Sequence, residues 1–164
     1  MLFISILAIA AMVAADQIAK MLATQYLAPV GTIPFIPGVM ELRYVLNEGM
    51  AFSMLSGARW FLIIATSAAL LALLWFVFFR RNKLKTLEYV SLLLIIGGGI
   101  GNLIDRVLYG YVVDFFATTF VNFAVFNVAD CFVCIGVGLL MVAVIFEEYQ
   151  NYKKKKAEGP TDAA

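Results

Sequence analysis

Long apolar runs dominate the chain, and four of them are long enough to cross a bilayer. A membrane-spanning helix needs about 20 predominantly apolar residues. The four runs extend approximately from Leu2 to Ala23, Trp60 to Phe79, Leu87 to Leu108 and Phe126 to Phe146. The second run holds no charged residue, and the others carry their charges toward their ends. The pattern predicts an all-α membrane protein with four transmembrane helices.

The first run could instead be a cleaved signal peptide. Val13, Ala14 and Ala15 resemble a small-residue cleavage site. No basic residue precedes the run, however, and the apolar sequence continues beyond Lys20. We therefore expect the first run to be retained as a transmembrane helix.

Basic residues cluster in two of the segments outside the four runs, after the second run and after the fourth. The segment after the second run contains Arg80, Arg81, Lys83 and Lys85, and the segment after the fourth run contains Lys153–Lys156. Short segments rich in lysine and arginine remain on the cytoplasmic side of a membrane. Both termini are therefore predicted to be cytoplasmic, and the loops 27–59 and 109–125 to lie on the outer side.

The first outer loop contains a strand signal. Residues 41–47 alternate imperfectly between polar and apolar after a turn signal at Pro37 and Gly38, so we expect a short strand in a small β-sheet. Residues 1–152 are predicted to form one membrane domain, followed by a basic, disordered cytoplasmic tail at 153–164.

The glycines at 97–99 and 101 lie inside the third run and predict close helix packing rather than a phosphate loop.

Composition excludes several kinds of chemistry. Hydrophobic residues make up 63% of the 164-residue chain and charged residues 14%, with a mean hydropathy of +0.94 and no histidine. Without histidine, Ser-His-Asp and Cys-His catalysis are excluded, and the sole cysteines, Cys131 and Cys134, cannot complete a zinc site. We expect both cysteines to be buried and structural, and we expect no metal, cofactor or nucleic-acid partner.

Four charged residues near the ends of the first and third runs have a structural interpretation. Asp16 and Lys20 are four residues apart on one helix, with the acid first, which favours a local ion pair. Asp105 could pair with a basic residue of another helix, and the adjacent Arg106 could extend to lipid phosphates. Under this interpretation these charges stabilise helix ends at the outer side.

Asp114 and Asp130 have no such neighbour, since apolar residues surround both in the sequence. Two carboxylates that the fold brings together in an apolar setting cannot both ionise easily, so one keeps a proton while the other acts as a base. This arrangement predicts an aspartyl hydrolase. Two alternatives remain open: a small transporter or proton pathway that uses the buried aspartates, and a Ser-Lys peptidase that uses Lys20.

Five short motifs occur in order along nearly the whole chain, and together they resemble the lipoprotein signal peptidases (signal peptidase II). They are Asp16-Gln17-x-x-Lys20, Asn47-x-Gly49-x-Ala51-Phe52-Ser53, Gly101-Asn102-x-x-Asp105-Arg106, Val113-Asp114-Phe115 and Phe126-Asn127-x-Ala129-Asp130. Each motif alone is weak, but five in order on a four-span chain are specific. Met50 is a departure, because it stands where a small residue would be expected.

The resemblance implies an aspartyl endopeptidase of the bacterial cytoplasmic membrane whose catalytic dyad is Asp114 and Asp130. Its substrate would be a diacylglyceryl-modified prolipoprotein, cut just before the lipidated cysteine, and its expected inhibitor is globomycin. A family-like fold would use the small β-sheet of the first outer loop as a cradle over the site and residues 52–55 as part of a mobile cover. The residues implied to bind substrate or support the site are Asp16, Lys20, Asn47, Gly49, Asn102, Asp105, Arg106, Asn127 and Ala129.

Overall fold

Four long helices form most of the structure. The computed structural model describes residues 2–50 and 54–157. The helices are α1 (Leu2–Leu22), α2 (Arg59–Arg80), α3 (Thr86–Leu108) and α4 (Val128–Ala157), and α1 continues into a π-helical turn at Ala23–Leu27. All four are long and apolar enough to cross a membrane, and most of their large apolar side chains face outward. The prediction of an all-α membrane protein with four spans is confirmed.

A small antiparallel sheet covers one end of the helices. Its strands are β1 (Thr32–Ile36), β2 (Met40–Asn47) and β3 (Val112–Thr118), in the order β1-β2-β3. The strand predicted after the turn at Pro37 and Gly38 is confirmed as β2.

The sequence predicted a sheet within the first outer loop, but the observed sheet extends beyond that loop. β3 comes from the segment between α3 and α4, and its Asp114 pairs with Val45 of β2. Residues 112–115 are all buried, because both faces of β3 are covered. Such a strand lacks the alternation of polar and apolar residues that reveals a half-exposed strand.

α3 is the central helix and packs against α1, α2 and α4. Glycines allow these close contacts: a Cβ atom added at Gly98 would lie 2.3 Å from the carbonyl oxygen of Ala129 on α4, and one at Gly101 would lie 2.6 Å from Oδ2 of Asp16. The prediction that this glycine cluster serves helix packing is confirmed. The ends of α1 and α3 and the start of α4 thereby meet beneath the sheet.

The C-terminal helix is longer than its apolar run. α4 continues to Ala157, so residues 153–157, which were predicted to begin a disordered tail, are helical. The rest of that tail, 158–164, and residues 52 and 53 of the predicted cover lie outside the described residues.

Candidate active site

The two aspartates predicted to form a dyad lie on different elements and face one cavity. Asp114 is on β3 and is 2% exposed, and Asp130 is in the first turn of α4. Both line a cavity of about 460 Å³ under the sheet. The cavity wall is mainly apolar and includes Val112, Phe126 and Ile135. Two acidic groups therefore face one mainly apolar cavity.

Asn127 connects the two carboxyl groups. Its side-chain Nδ2 donates to Asp114 Oδ1 over 2.6 Å, and its backbone N donates to Asp130 Oδ2 over 3.1 Å. The backbone N of Asp130 donates in return to Asn127 Oδ1 over 3.0 Å. This reciprocal pair is the capping box of α4, with Asn127 at the position before the helix. The start of α4 thus fixes Asp130 and, through the same asparagine, Asp114.

Burial is the main influence on the Asp114 carboxyl group, and it raises its pKa to about 6. The nearby charge of Asp130 acts in the same direction. Hydrogen bonds from Asn47 Nδ2 to Oδ2, at 2.9 Å, and from Asn127 oppose the shift, as does the charge of Lys20. A carboxyl group with this pKa can retain or release a proton near neutral pH.

Asn102 joins the dyad to a buried lysine. Its Nδ2 donates to Asp130 Oδ1 over 2.8 Å, while its Oδ1 accepts hydrogen bonds from Lys20 Nζ at 2.8 Å and Asn127 Nδ2 at 3.1 Å. Every polar atom of the Asn102 amide therefore has a partner in or beside the dyad.

Lys20 forms the predicted ion pair with Asp16 at 2.8 Å, and it also pairs with Asp105 at 3.0 Å. All three side chains are at most 4% exposed. With two carboxylates and the Asn102 oxygen bound to its ammonium group, Lys20 is not placed to act as the base of a Ser-Lys peptidase. Ser53, the serine of the first-loop motif, lies outside the described residues.

Asp16 and Asp105 also reach the backbone beside each dyad residue. Asp16 Oδ1 accepts a hydrogen bond from the backbone N of Ala129, at 2.9 Å, and Asp105 Oδ2 accepts one from the backbone N of Val113, at 3.3 Å. Ala129 precedes Asp130 in the chain and Val113 precedes Asp114. The two structural aspartates therefore hold the two residues next to the dyad.

Arg106 crosses the cavity wall instead of pointing to the lipid phosphates that the sequence had suggested. Its Nη2 donates to the carbonyl oxygen of Gly49 over 2.9 Å, and Nη1 lies 3.4 Å from that of Asn102. Asn47 stabilises the same turn, since its Oδ1 accepts from Gly49 N at 2.9 Å and its Nδ2 donates to the carbonyl oxygen of Met50 at 3.1 Å. Residues 47–50 of the first-loop motif are therefore placed at the cavity.

Comparison with known proteins gives a consistent result. A family model of signal peptidase (SPase) II matches residues 8–146. The chain is 38% identical to a lipoprotein signal peptidase of Streptococcus pyogenes serotype M1 over 143 residues, which cover 87% of this chain and 93% of the relative. It is 37% identical to the lipoprotein signal peptidase of Lactococcus lactis subsp. lactis strain IL1403 over 145 residues, which cover 88% of this chain and 95% of the relative. This chain belongs to the signal peptidase II family.

Two solved bacterial membrane enzymes share the fold of this signal peptidase II family member. The first, determined by the in meso method at 2.3 Å resolution, superposes with a TM-score of 0.76 at 31% identity and covers 98% of this chain and 93% of its own. The second, determined by the same method at 1.9 Å resolution, has a TM-score of 0.76 at 34% identity. The superposition covers 85% of this chain and 91% of the solved chain. The four helices and the sheet are therefore the architecture of a membrane enzyme.

Two contacts in the signal peptidase II site were not predicted from the sequence. Gln17 Nε2 donates to Asp105 Oδ1 at 2.9 Å and lies 3.2 Å from Asp16 Oδ2, so it links the two carboxylates that hold Lys20. Arg59 donates to the carbonyl oxygens of Arg106 and Val107, at 3.0 and 2.8 Å, and so binds the end of α3. The position of Gln17 beside Asp16 in the first motif was the only available signal.

The prediction that both cysteines are buried is wrong. Cys131 is partly exposed and Cys134 exposed, and both are free thiols that line the dyad cavity. They are three residues apart on α4, on the face that also carries Asp130. The apolar residues between them suggested burial in protein, whereas this face of α4 opens into the cavity.

Proposed function

We propose that this protein is a membrane aspartyl endopeptidase that removes the signal peptide from diacylglyceryl-modified prolipoproteins, cutting just before the lipidated cysteine. Asp114 and Asp130 form the catalytic dyad. The observation that carries the proposal is the pair of carboxyl groups bound to one asparagine, Asn127, in an apolar cavity. Membership of the signal peptidase II family supports a peptidase that acts on lipoproteins.

The dyad would work with one proton shared between two carboxyl groups. The ionised member accepts a proton from a water molecule as the water oxygen attacks the scissile carbonyl carbon. The protonated member donates a hydrogen bond to the carbonyl oxygen and then protonates the leaving amine as the C–N bond breaks. The raised pKa of Asp114 supports this division, since the dyad can keep one proton near neutral pH.

The supporting residues fit such a role. Asn47, Asn102 and Asn127 donate to the dyad oxygens, which fixes the direction of each carboxyl group before substrate binds. Arg106 fixes the Gly49 turn at the cavity wall. The apolar wall suits a substrate segment that arrives from the lipid phase.

The charge distribution supports an outer location of this site. Among residues 2–50 and 54–157, the buried charged side chains are Asp16, Lys20, Asp105 and Asp114, and all lie at the end of the helices that the sheet covers. A charge relay would need such groups across the membrane depth, so a peptidase agrees better with this distribution than a transporter does. The basic segments at the opposite ends favour the bacterial cytoplasmic membrane, with both termini in the cytoplasm.

The test is cleavage of a diacylglyceryl-modified prolipoprotein in membranes by the Asp114→Asn and Asp130→Asn variants. We expect both variants to lose cleavage by several orders of magnitude while remaining folded. Substitution of the exposed Glu48 by Gln, which changes the same functional group on the neighbouring loop, is the matched control and should retain activity. Normal cleavage by either aspartate variant would disprove the dyad. Globomycin should inhibit the parent protein and compete with substrate.

A further inference from the structure

An apolar groove lies between α1 and α2 at the end of the molecule opposite the dyad. Both helices pack on α3, which forms the floor of the groove. The groove has a volume of about 560 Å³. Its walls include Ile6 of α1 and Leu71, Trp75 and Phe78 of α2, and its floor includes Ile96. The side chains that line it are almost all apolar.

The groove leads to a polar mouth. A second cavity, of about 270 Å³, shares Leu2 and Tyr89 with the groove and is also lined by Arg81, Asn82 and Thr86. The Arg81 guanidinium lies 5.9 Å from the ring centre of Phe78, a residue of the groove wall. In the described part of the chain Arg81 pairs with no carboxylate, whereas the nearby Lys85 pairs with Glu147 at 3.1 Å. Within those residues, an exposed cation without a carboxylate partner therefore lies at the open end of the apolar groove.

We propose that this groove binds an acyl chain of an anionic phospholipid, and that Arg81 binds its phosphate group at the mouth. A guanidinium offers two parallel N–H donors to phosphate oxygens, and Asn82 supplies an amide beside it. The neighbouring Lys83 also raises the local positive potential, which favours an anionic over a zwitterionic headgroup.

The dimensions favour an acyl chain over a helix of a partner protein. One turn of an α-helix with side chains, about 10–12 Å wide and 5.4 Å long, occupies roughly 400–600 Å³. The groove would therefore hold little more than a single helical turn. The polar groups near its floor are also paired, since the hydroxyls of Ser5 and Tyr89 lie 2.7 Å apart. A hydrocarbon chain would leave neither of these hydroxyls without a partner.

The experiment measures lipid binding to the purified full-length protein in detergent by native mass spectrometry. The probes are long-chain phosphatidylglycerol, phosphatidylcholine with the same chains, and dihexanoyl phosphatidylglycerol. We expect the parent to bind the long-chain anionic lipid most tightly. Arg81→Gln should weaken that binding about tenfold or more, the usual effect of removing a hydrogen-bonded charge. Arg80→Gln makes the same change in net charge outside the mouth and should have little effect.

The groove is tested separately by Ile6→Trp, which fills it, and by Leu7→Trp, which adds the same side chain to a neighbouring exposed position outside it. Ile6→Trp alone should weaken long-chain binding. If Ile6→Trp fails to fold, Leu71→Trp fills the groove from α2. Equal losses in the two arginine variants, or undiminished binding in the groove-filling variant, would overturn the proposal. All variants should still cleave prolipoprotein, so the lipid site and the peptidase can fail independently.

Discussion

Replacing Lys20 with Met tests whether the buried charge cluster is a structural requirement. The Lys20 ammonium is 4% exposed and lies 2.8 Å from Asp16 and 3.0 Å from Asp105, which are 0% and 2% exposed. Removing one partner from a buried ion pair typically costs about 3–5 kcal/mol, because a charge is left buried without compensation. Here two carboxylates lose their only ammonium partner in the described structure, so we expect a loss of at least that size in the free energy of unfolding.

The assay is reversible unfolding in mixed micelles of mild detergent and SDS, followed by circular dichroism. The Lys20→Met/Asp105→Asn double variant should recover part of the loss, because one uncompensated charge has been removed together with the lysine. Lys85→Met is the matched control, since its pair with Glu147 is exposed and should matter far less. A loss in Lys20→Met no larger than that in Lys85→Met would refute the reasoning, as would a double variant that is less stable than Lys20→Met.

Three further predictions concern Asp114, Asn47 and the glycines of the helix interface. The pKa of Asp114, about 6 against 3.8 for a free side chain, means that its ionisation destabilises the fold. The parent should therefore lose about 2.5 kcal/mol of stability relative to Asp114→Asn between pH 4 and pH 8, measured by unfolding at both pH values. Asn47→Ala removes a hydrogen bond that lowers this pKa, so the alkaline limb of the pH–cleavage profile, where the dyad loses its retained proton, should move to higher pH, and an unchanged profile would contradict the assignment. Gly98→Ala should destabilise the fold by about 1–3 kcal/mol because its Cβ would overlap the Ala129 carbonyl, while Gly138→Ala, whose Cβ meets nothing within 4 Å, should not.

The four helices could be predicted because a bilayer imposes a simple requirement of length and apolarity. The strand β3 could not, because its buried residues around Asp114 provide no alternating pattern. The local pair of Asp16 and Lys20 followed from helical spacing, but the participation of Asp105 depends on how α1 packs against α3. Contacts between distant elements leave no periodic signal in a single sequence.

The site also combines contacts that local spacing predicts with contacts between distant elements that it does not. Asn127 and Asp130 lie three residues apart at a helix start, so their mutual hydrogen bonds have a local basis. The bond from Asn127 to Asp114 joins that helix start to β3, and nothing in the spacing of the two residues requires it. The apolar sequence around Asp114 and Asp130 singled out these two carboxyl groups, whereas the resemblance to a family supplied the tertiary arrangement that local spacing lacks.

The buried cluster also explains why charges are retained in so apolar a chain. A charged side chain within a span costs roughly 2.5–3.5 kcal/mol at the bilayer centre, so packing alone would favour apolar replacements. Asp16 and Asp105, however, bind the backbone N–H groups of Ala129 and Val113, the residues before Asp130 and Asp114. Lys20 joins those two carboxylates and also bonds Asn102, which itself bonds Asp130. One lysine therefore fixes both halves of the proposed dyad relative to each other, and apolar substitutes for all three charges could restore stability without restoring cleavage.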